Sequence, residues 1–93
     1  MKKFAVIYRI LSVESSNALR PKHVEYLKSL IAAGRVVDGM KFPDYSDGCI
    51  QGVLICQANS KEEVKAWFDK DPVIAGGART YEIRDYEPMS LKA

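Results

Sequence analysis

Two strand–helix–strand units follow one another in this chain of 93 residues, and that order constrains its fold more than any other feature. Branched and aromatic residues predict a first strand over Lys3–Leu11. Pro21, followed by apolar residues at helical spacing, predicts a helix that begins at this proline and ends at Gly34. The stretch Ser12–Leu19 is polar and lacks periodicity, and we interpret it as a loop. A short strand, Arg35–Phe42, completes the first unit.

The second unit repeats this order after a turn-rich loop at Pro43–Gly48. Its first strand is predicted over Cys49–Ala58. Ser60 and Glu63 have the spacing of a capping box and predict the start of the second helix. The unit ends with a strand predicted over Arg79–Tyr86.

The element order is that of the ferredoxin-like α+β fold, βαββαβ, and we expect one such domain over residues 1–93. Right-handed crossovers place both helices on one face of an antiparallel four-stranded sheet. The first and third strands are apolar on both faces, which predicts a central position for each of them. The sheet face away from the helices therefore needs a cover. A second copy of the same sheet is the simplest one, so we expect a homodimer.

Composition and charge argue against several classes of partner. The 14 basic and 12 acidic residues are interspersed and leave a net charge of +2, so no charged block indicates a nucleic-acid partner. The third predicted strand also lacks the aromatic residues with which RNA-binding sheets of this fold stack bases. No apolar run is long enough to cross a bilayer, so we expect no membrane partner.

The cysteines indicate a reducing compartment. Cys49 and Cys56 are predicted to lie in one strand and to point to opposite faces, so they cannot form a disulfide with each other. Two free thiols fit a cytoplasmic protein. With one histidine they make no zinc cluster, and no motif indicates a cofactor, so we expect neither a metal nor a cofactor.

His23 is the only histidine of the chain and the first candidate for chemistry. Its distance from Pro21 predicts a place in the first turn of the helix, where the dipole favours a neutral base or an anion-binding donor. Arg20, three residues earlier, is placed to hold a carboxylate or phenolate of a ligand. The alternative is a surface histidine without a task, which position alone favours, because titratable site residues are a minority of histidines.

Asp71 is the second candidate, and it also has two interpretations. As the residue before Pro72 it ends the second helix, and from the residues alone this is the better explanation. As a carboxylate it would orient His23 and tune its basicity, like the third member of a catalytic triad. Straight antiparallel helices would keep the two residues apart. The pair therefore requires the Asp-Pro turn to carry the carboxylate back over the sheet, or else the partner is another acid.

Two segments resemble a known family. Arg20–Leu27, RPKHVEYL, resembles the RPxHLxxL segment of YCII-related (YciI-like) proteins. Asp71–Gly77, DPVIAGG, resembles the DPYxxAGxY segment that follows a Trp-bearing helix in that family, and Gly52–Ile55 is similar to its third strand. The resemblance implies a dimeric α/β barrel related to muconolactone isomerase. It also implies a pocket with a His–Asp pair, carried here by His23 and Asp71.

The resemblance further implies cofactor-free proton transfer, of a lyase or isomerase type, on a small cyclic metabolite. One branch of the family removes chloride from a chlorinated hydroxyquinol, whereas most members have no assigned reaction. This chain departs from the family pattern at Val37–Phe42, which replaces an LxAGP stretch, and at Val73, which replaces an aromatic residue. The substrate therefore cannot be carried over.

Three functions are consistent with the sequence. The leading one is an enzyme with His23 as general base or acid, Asp71 as its orienting partner and Arg20 as an anion clamp. The second is a non-catalytic, dimeric ligand-binding or scaffold module. The third is a cofactor-free monooxygenase of the related dimeric barrels.

Overall fold

The structure, a computed structural model, describes residues 1–91. The domain was predicted over residues 1–93, and its last two residues lie outside the described part. Its elements are β1 (Lys2–Ile10), α1 (Val13–Ala32), β2 (Val36–Lys41), β3 (Ile50–Ala58), α2 (Lys61–Phe68), α3 (Pro72–Ala75) and β4 (Arg79–Asp85). The strands form one antiparallel sheet in the order β2-β3-β1-β4. The helices pack on one face of that sheet, which confirms the predicted ferredoxin-like α+β fold.

The predicted central position of β1 and β3 is confirmed. β1 pairs with β3 along one side and with β4 along the other, and β3 pairs in turn with β2. Alternate side chains of β1 face the helices, so Phe4, Val6 and Tyr8 are buried while their neighbours are only partly covered. The helices contribute Leu30, Val64, Phe68 and Val73 to the same core.

α1 begins at Val13, so the loop predicted over Ser12–Leu19 is wrong. The hydroxyl of Ser12 is the N-cap and accepts a hydrogen bond from the backbone N–H of Ser15 at 3.2 Å. The buried position in the first turns of α1 carries Ser16, which is 1% exposed, instead of an apolar residue. This polar residue on the buried face hides the helical period, and the stretch therefore resembles a loop in the sequence.

The sequence predicted Pro21 in the first turn of the helix, and this prediction is wrong because Pro21 lies inside α1. A proline there removes the N–H that would bond the carbonyl of Asn17. Both residues are exposed, so water can satisfy that carbonyl. The predicted place of His23 in the first helical turn is consequently also wrong. His23 lies near the middle of this 20-residue helix, away from the positive end of the dipole.

The second unit follows its prediction more closely. Ser60 is the N-cap of α2, and its hydroxyl accepts from the backbone N–H of Glu63 at 3.2 Å, which is the serine half of the predicted capping box. α2 ends at Phe68, and the short helix α3 follows Asp71. No helix within residues 1–91 combines the length and the apolar character that crossing a membrane requires.

The two cysteine thiols are free, as predicted. Cys49 is exposed and lies one residue before β3, not within it, whereas Cys56 is buried in the core. Burial raises the pKa of the Cys56 thiol to about 12, so this thiol stays protonated.

α3 packs closely against α1, and Gly76 permits that approach. A Cβ atom at this position would lie 2.6 Å from Cδ1 of Leu19 and 2.9 Å from the carbonyl oxygen of Pro72. Neither distance is compatible with an added methyl group. The absence of a side chain at Gly76 therefore brings the start of α3, with Asp71, up to the middle of α1.

We expect Gly76→Ala to lower the free energy of unfolding by about 1–3 kcal/mol, the usual cost of forcing one extra carbon into a packed interface. Ala75→Ser is the matched control, since it also adds one heavy atom to α3 but at an exposed position. That change should stay within about 0.5 kcal/mol of wild type. Urea denaturation measures both variants, and equal losses would contradict the close packing of α3 on α1.

Candidate active site

The structure brings His23 and Asp71 together although 48 residues separate them. Nδ1 of His23 lies 2.9 Å from Oδ1 and 2.8 Å from Oδ2 of the Asp71 carboxylate. His23 is 6% exposed and Asp71 is fully buried, so the alternative of a surface histidine is wrong. The obstacle expected from the helix geometry disappears because His23 lies in the middle of α1, directly opposite the start of α3.

Asp71 lies three residues after the end of α2 at Phe68, and its carboxylate contacts His23. It ends the turn after α2 in an extended conformation before Pro72 and is the N-cap of α3. In that position its Oδ1 accepts a hydrogen bond from the backbone N–H of Val73 at 3.2 Å. Its Oδ2 accepts another from the hydroxyl of Tyr8 at 2.6 Å. With His23 as a third partner, this buried carboxylate is held by three elements of the fold.

Arg79 determines the tautomer of His23. Its Nη1 lies 3.5 Å from Nε2 of the imidazole, and a guanidinium group carries only donors. We therefore assign the lone pair of the ring to Nε2 and its proton to Nδ1, which donates to Asp71. A neutral histidine in this state has an orienting carboxylate behind it and an unprotonated nitrogen in front, as in the base of a catalytic triad.

Arg79 is the site residue that sequence analysis missed. It is the first residue of β4 and is 5% exposed. Its Nε donates to Oγ of Ser16 at 2.8 Å, and its Nη1 donates to Oε1 of Gln51 at 3.2 Å. Burial lowers the pKa of this guanidinium from its usual value. The available signal was alternation, because a strand that begins at Arg79 puts it on the same face as the apolar Tyr81.

Gln51 reaches the site through a β-bulge. Tyr8 pairs with Gly52 and Arg9 pairs with Ile50, so Gln51 is the extra residue of β3 at this point. A bulge redirects the side chain of the unpaired residue, and here it brings the amide of Gln51 to the guanidinium of Arg79. No local sequence pattern indicates this placement, because it depends on the register between two strands.

Tyr8 is a positioning residue as well as a core residue. Its ring packs edge-on against the imidazole of His23, with the centroids 5.7 Å apart and an interplanar angle of 83°. Burial raises the pKa of its phenol well above the usual value, and the negative charge of Asp71 raises it further. Tyr8 therefore remains a hydrogen-bond donor to Asp71. Sequence analysis did not select Tyr8 as a site residue.

A cavity of about 180 Å³ opens beside His23. His23 and Arg79 lie at its polar end, and its apolar wall includes Val24, Leu27 and Leu54. A second hollow of about 440 Å³ adjoins it, because both are lined by Arg20, Lys41, Gln51 and Arg79.

Arg20 itself is exposed and lies at the shared boundary of the two hollows. Within residues 1–91 it makes no hydrogen bond to His23 or Asp71. The structure thus puts Arg20 on the wall that the two hollows share, and Arg79 beside the imidazole.

The profile of the YCII-related domain matches residues 2–89 of this chain. The search of curated proteins found no match to this chain. Among solved structures, the fold is similar to that of 5-chloro-2-hydroxyhydroquinone dehydrochlorinase (TftG) from Burkholderia phenoliruptrix AC1100 in complex with 2,5-dihydroxybenzoquinone. The TM-score is 0.75 at 19% sequence identity, over 91% of this chain and 93% of that one. At this identity the likeness extends to the fold alone.

We expect Tyr8→Phe to lower the free energy of unfolding by about 1.5–3 kcal/mol, because it removes a hydrogen bond to a buried, charged carboxylate. Tyr81→Phe is the matched control. Its hydroxyl donates to Oδ1 of Asp69 at 2.5 Å, but that carboxylate is exposed, so water can replace the lost donor and the loss should be smaller. Both variants are measured by urea denaturation. A loss for Tyr8→Phe no larger than that for Tyr81→Phe would show that Asp71 does not depend on Tyr8.

Proposed function

We propose that this chain, which belongs to the YCII-related family, is a cofactor-independent enzyme that transfers protons on a small cyclic metabolite. The observation that supports this proposal most directly is the orientation of His23. Its Nδ1 is 2.8 Å from the buried carboxylate of Asp71, its Nε2 lies 3.5 Å from Nη1 of the Arg79 guanidinium, and both His23 and Arg79 line a cavity. A base, its orienting group and a space for a substrate are therefore adjacent.

In the proposed reaction, Nε2 of His23 removes a proton from a bound substrate. The imidazolium that forms is stabilised by Asp71, which keeps its charge throughout and holds the Nδ1 proton. The electron pair left on the substrate then either accepts the proton back at another atom or expels a leaving group. The first outcome is an isomerisation and the second is an elimination, and both require only side chains of this chain.

The substrate class follows from the comparison with the dehydrochlorinase. The names of its substrate and of its bound ligand describe small rings that carry oxygen substituents. We propose a ring of this kind for the present cavity, with Arg20 at its entrance binding a carboxylate or phenolate oxygen. The chain's own Val37–Phe42 segment replaces the family pattern beside this entrance, so the identity of the ring is left to experiment.

We expect His23→Gln to reduce turnover about a hundredfold or more, the usual contribution of a general base. The measurement is His23-dependent exchange of substrate carbon protons for deuterium, or release of chloride. The substrates are 5-chloro-2-hydroxyhydroquinone and a panel of hydroxyquinols, lactones and cyclic ketones. Asp71→Asn should also lower turnover, because an amide neither fixes the tautomer nor stabilises the imidazolium.

Glu62→Gln on the exposed surface of α2 is the control and should leave turnover unchanged. Turnover that survives in His23→Gln would refute the proposed base. A ring from the panel that raises the melting temperature without being converted would favour the non-catalytic, ligand-binding module instead.

We also propose a homodimer that forms through the sheet face opposite the helices. On that face Ala5 lies directly across from Ile55, Ile7 lies across from Val53, and Val53 neighbours Met40 on β2. We call these five residues the outer apolar patch. Met40 is 55% exposed in the single chain, and a contiguous apolar surface on a small domain favours association. A two-fold related copy presents the same patch and would bury both.

Light scattering at micromolar concentration should report a particle of two chains. Val53→Lys should shift it to one chain, because Val53 lies between Ile7 and Met40 and a dimer would then bury a charge at the centre of the outer apolar patch. Glu62→Lys, which adds a lysine on the helical side, should leave the dimer intact. A wild-type protein that scatters as a single chain would exclude this interface.

A further inference from the structure

We infer that the cavity beside His23 binds a small anion with an apolar body, and that the negatively charged oxygen of this anion accepts a hydrogen bond from the guanidinium of Arg79. This inference rests on the proposed function, since it names the substrate class of the same site. It adds a residue that the sequence did not indicate, and it assigns the principal anion contact to Arg79 at the reacting end of the cavity.

The charge of Arg79 has no ion-pair partner within residues 1–91. Its hydrogen bonds go to the hydroxyl of Ser16, the amide oxygen of Gln51 and Nε2 of His23, and none of these three groups is a carboxylate. Asp71 influences Arg79 through space, but its oxygens are engaged by other donors. A buried cation without a counter-ion is unfavourable, and an incoming anion would remove that cost.

The geometry of Arg79 leaves one donor group for a ligand. Nε and Nη1 are occupied by protein acceptors, whereas Nη2 makes no hydrogen bond to residues 1–91. Arg79 lines both hollows, so this residue borders the space that a ligand would fill. Charge-assisted bonds from a fixed guanidinium are well suited to carboxylate and phenolate oxygens.

Two further cations border the same space. Arg20 and Lys41 line both hollows, neither forms an ion pair within residues 1–91, and no aspartate or glutamate lines either hollow. The outer face of the sheet differs, since Arg9 and Arg84 are both paired there with Glu82. Three cations without an ion pair in residues 1–91 therefore border this space, and no carboxylate of those residues lines it.

Part of the cavity wall is apolar, which favours a ligand with an apolar body. Val24, Leu27 and Leu54 line it, and the cavity volume of about 180 Å³ suits a molecule of roughly one ring. A ring with one anionic oxygen would place its apolar part on this wall and its charge at Arg79. When His23 removes a proton from such a ligand, Arg79 would also stabilise the negative charge that develops beside it.

Paired ligands of equal shape test the inference by binding alone, with no need for turnover. Benzoate is compared with benzamide for a carboxylate, and 4-nitrophenolate with 4-nitroanisole for a phenolate, by titration calorimetry on the wild-type protein. We expect at least one anion to bind about tenfold or more tightly than its neutral partner, the typical effect of a hydrogen bond to a charged group. The pair that shows the preference identifies the kind of oxygen bound.

Variants locate the contact. Arg79→Gln should abolish the preference for the anion, and the double variant Arg20→Gln, Lys41→Gln should weaken it. Arg84→Gln, an arginine on the outer face, should leave it unchanged. If Arg79→Gln does not fold, the wild-type protein still decides the matter. The binding anion should shift the NMR signal of the Nε–H of Arg79 and leave that of Arg84 in place.

Equal affinities within both ligand pairs would overturn the inference, as would an anion preference that persists in Arg79→Gln or an unmoved Arg79 signal. Failure of the proposed function has a different signature. His23→Gln keeps Arg79 and should still prefer the anion, so an anion preference without any turnover would refute the enzyme and leave this binding site standing. Turnover that depends on His23 without an anion preference would support the enzyme and refute the anion-binding site.

Discussion

The buried carboxylate of Asp71 connects the parts of this molecule that matter for its chemistry. It accepts hydrogen bonds from Tyr8 on the central strand, from the backbone of Val73 in α3, and from His23 on α1. A charge in the interior is tolerated only when its oxygens are satisfied, so each of these elements is held in place by the same group. The close approach of α3 to α1 then becomes a requirement of the site as well as of packing.

Polar groups continue from this carboxylate through the core to the surface. His23 lies between Asp71 and Arg79, and Arg79 in turn contacts Ser16 and Gln51. The exposed cations Arg20 and Lys41 follow at the surface. These residues occupy positions facing the helix–sheet interface, where apolar side chains would give more stability. Conflicts between local pattern and burial of this kind are typical of functional sites. Here they coincide with the cavity beside His23.

Much of the fold was predictable, and the errors share one physical origin. Branched residues marked the strands, and Ser60 and Gly34 marked helix ends, because these features act over a few residues. The start of α1 was predicted wrongly because Ser16 occupies a buried position that helical periodicity expects to be apolar. His23 was consequently predicted in the first turn of the helix, whereas it lies near the middle of α1. Ser16, which binds Arg79 at the site, is thus the residue that made the start of α1 difficult to predict from the sequence.

By itself the sequence determined the order of the elements, the ferredoxin-like sheet with β1 and β3 at its centre, and the choice of His23 and Asp71 as candidates. Tertiary structure alone decided that these two meet, that Arg79 and Tyr8 join them, and that Gln51 is turned toward Arg79 by a bulge. The reason is distance along the chain. Tyr8 and Asp71, like Ser16 and Arg79, are 63 residues apart. Strand register and helix packing establish such contacts, and local side-chain patterns do not encode them.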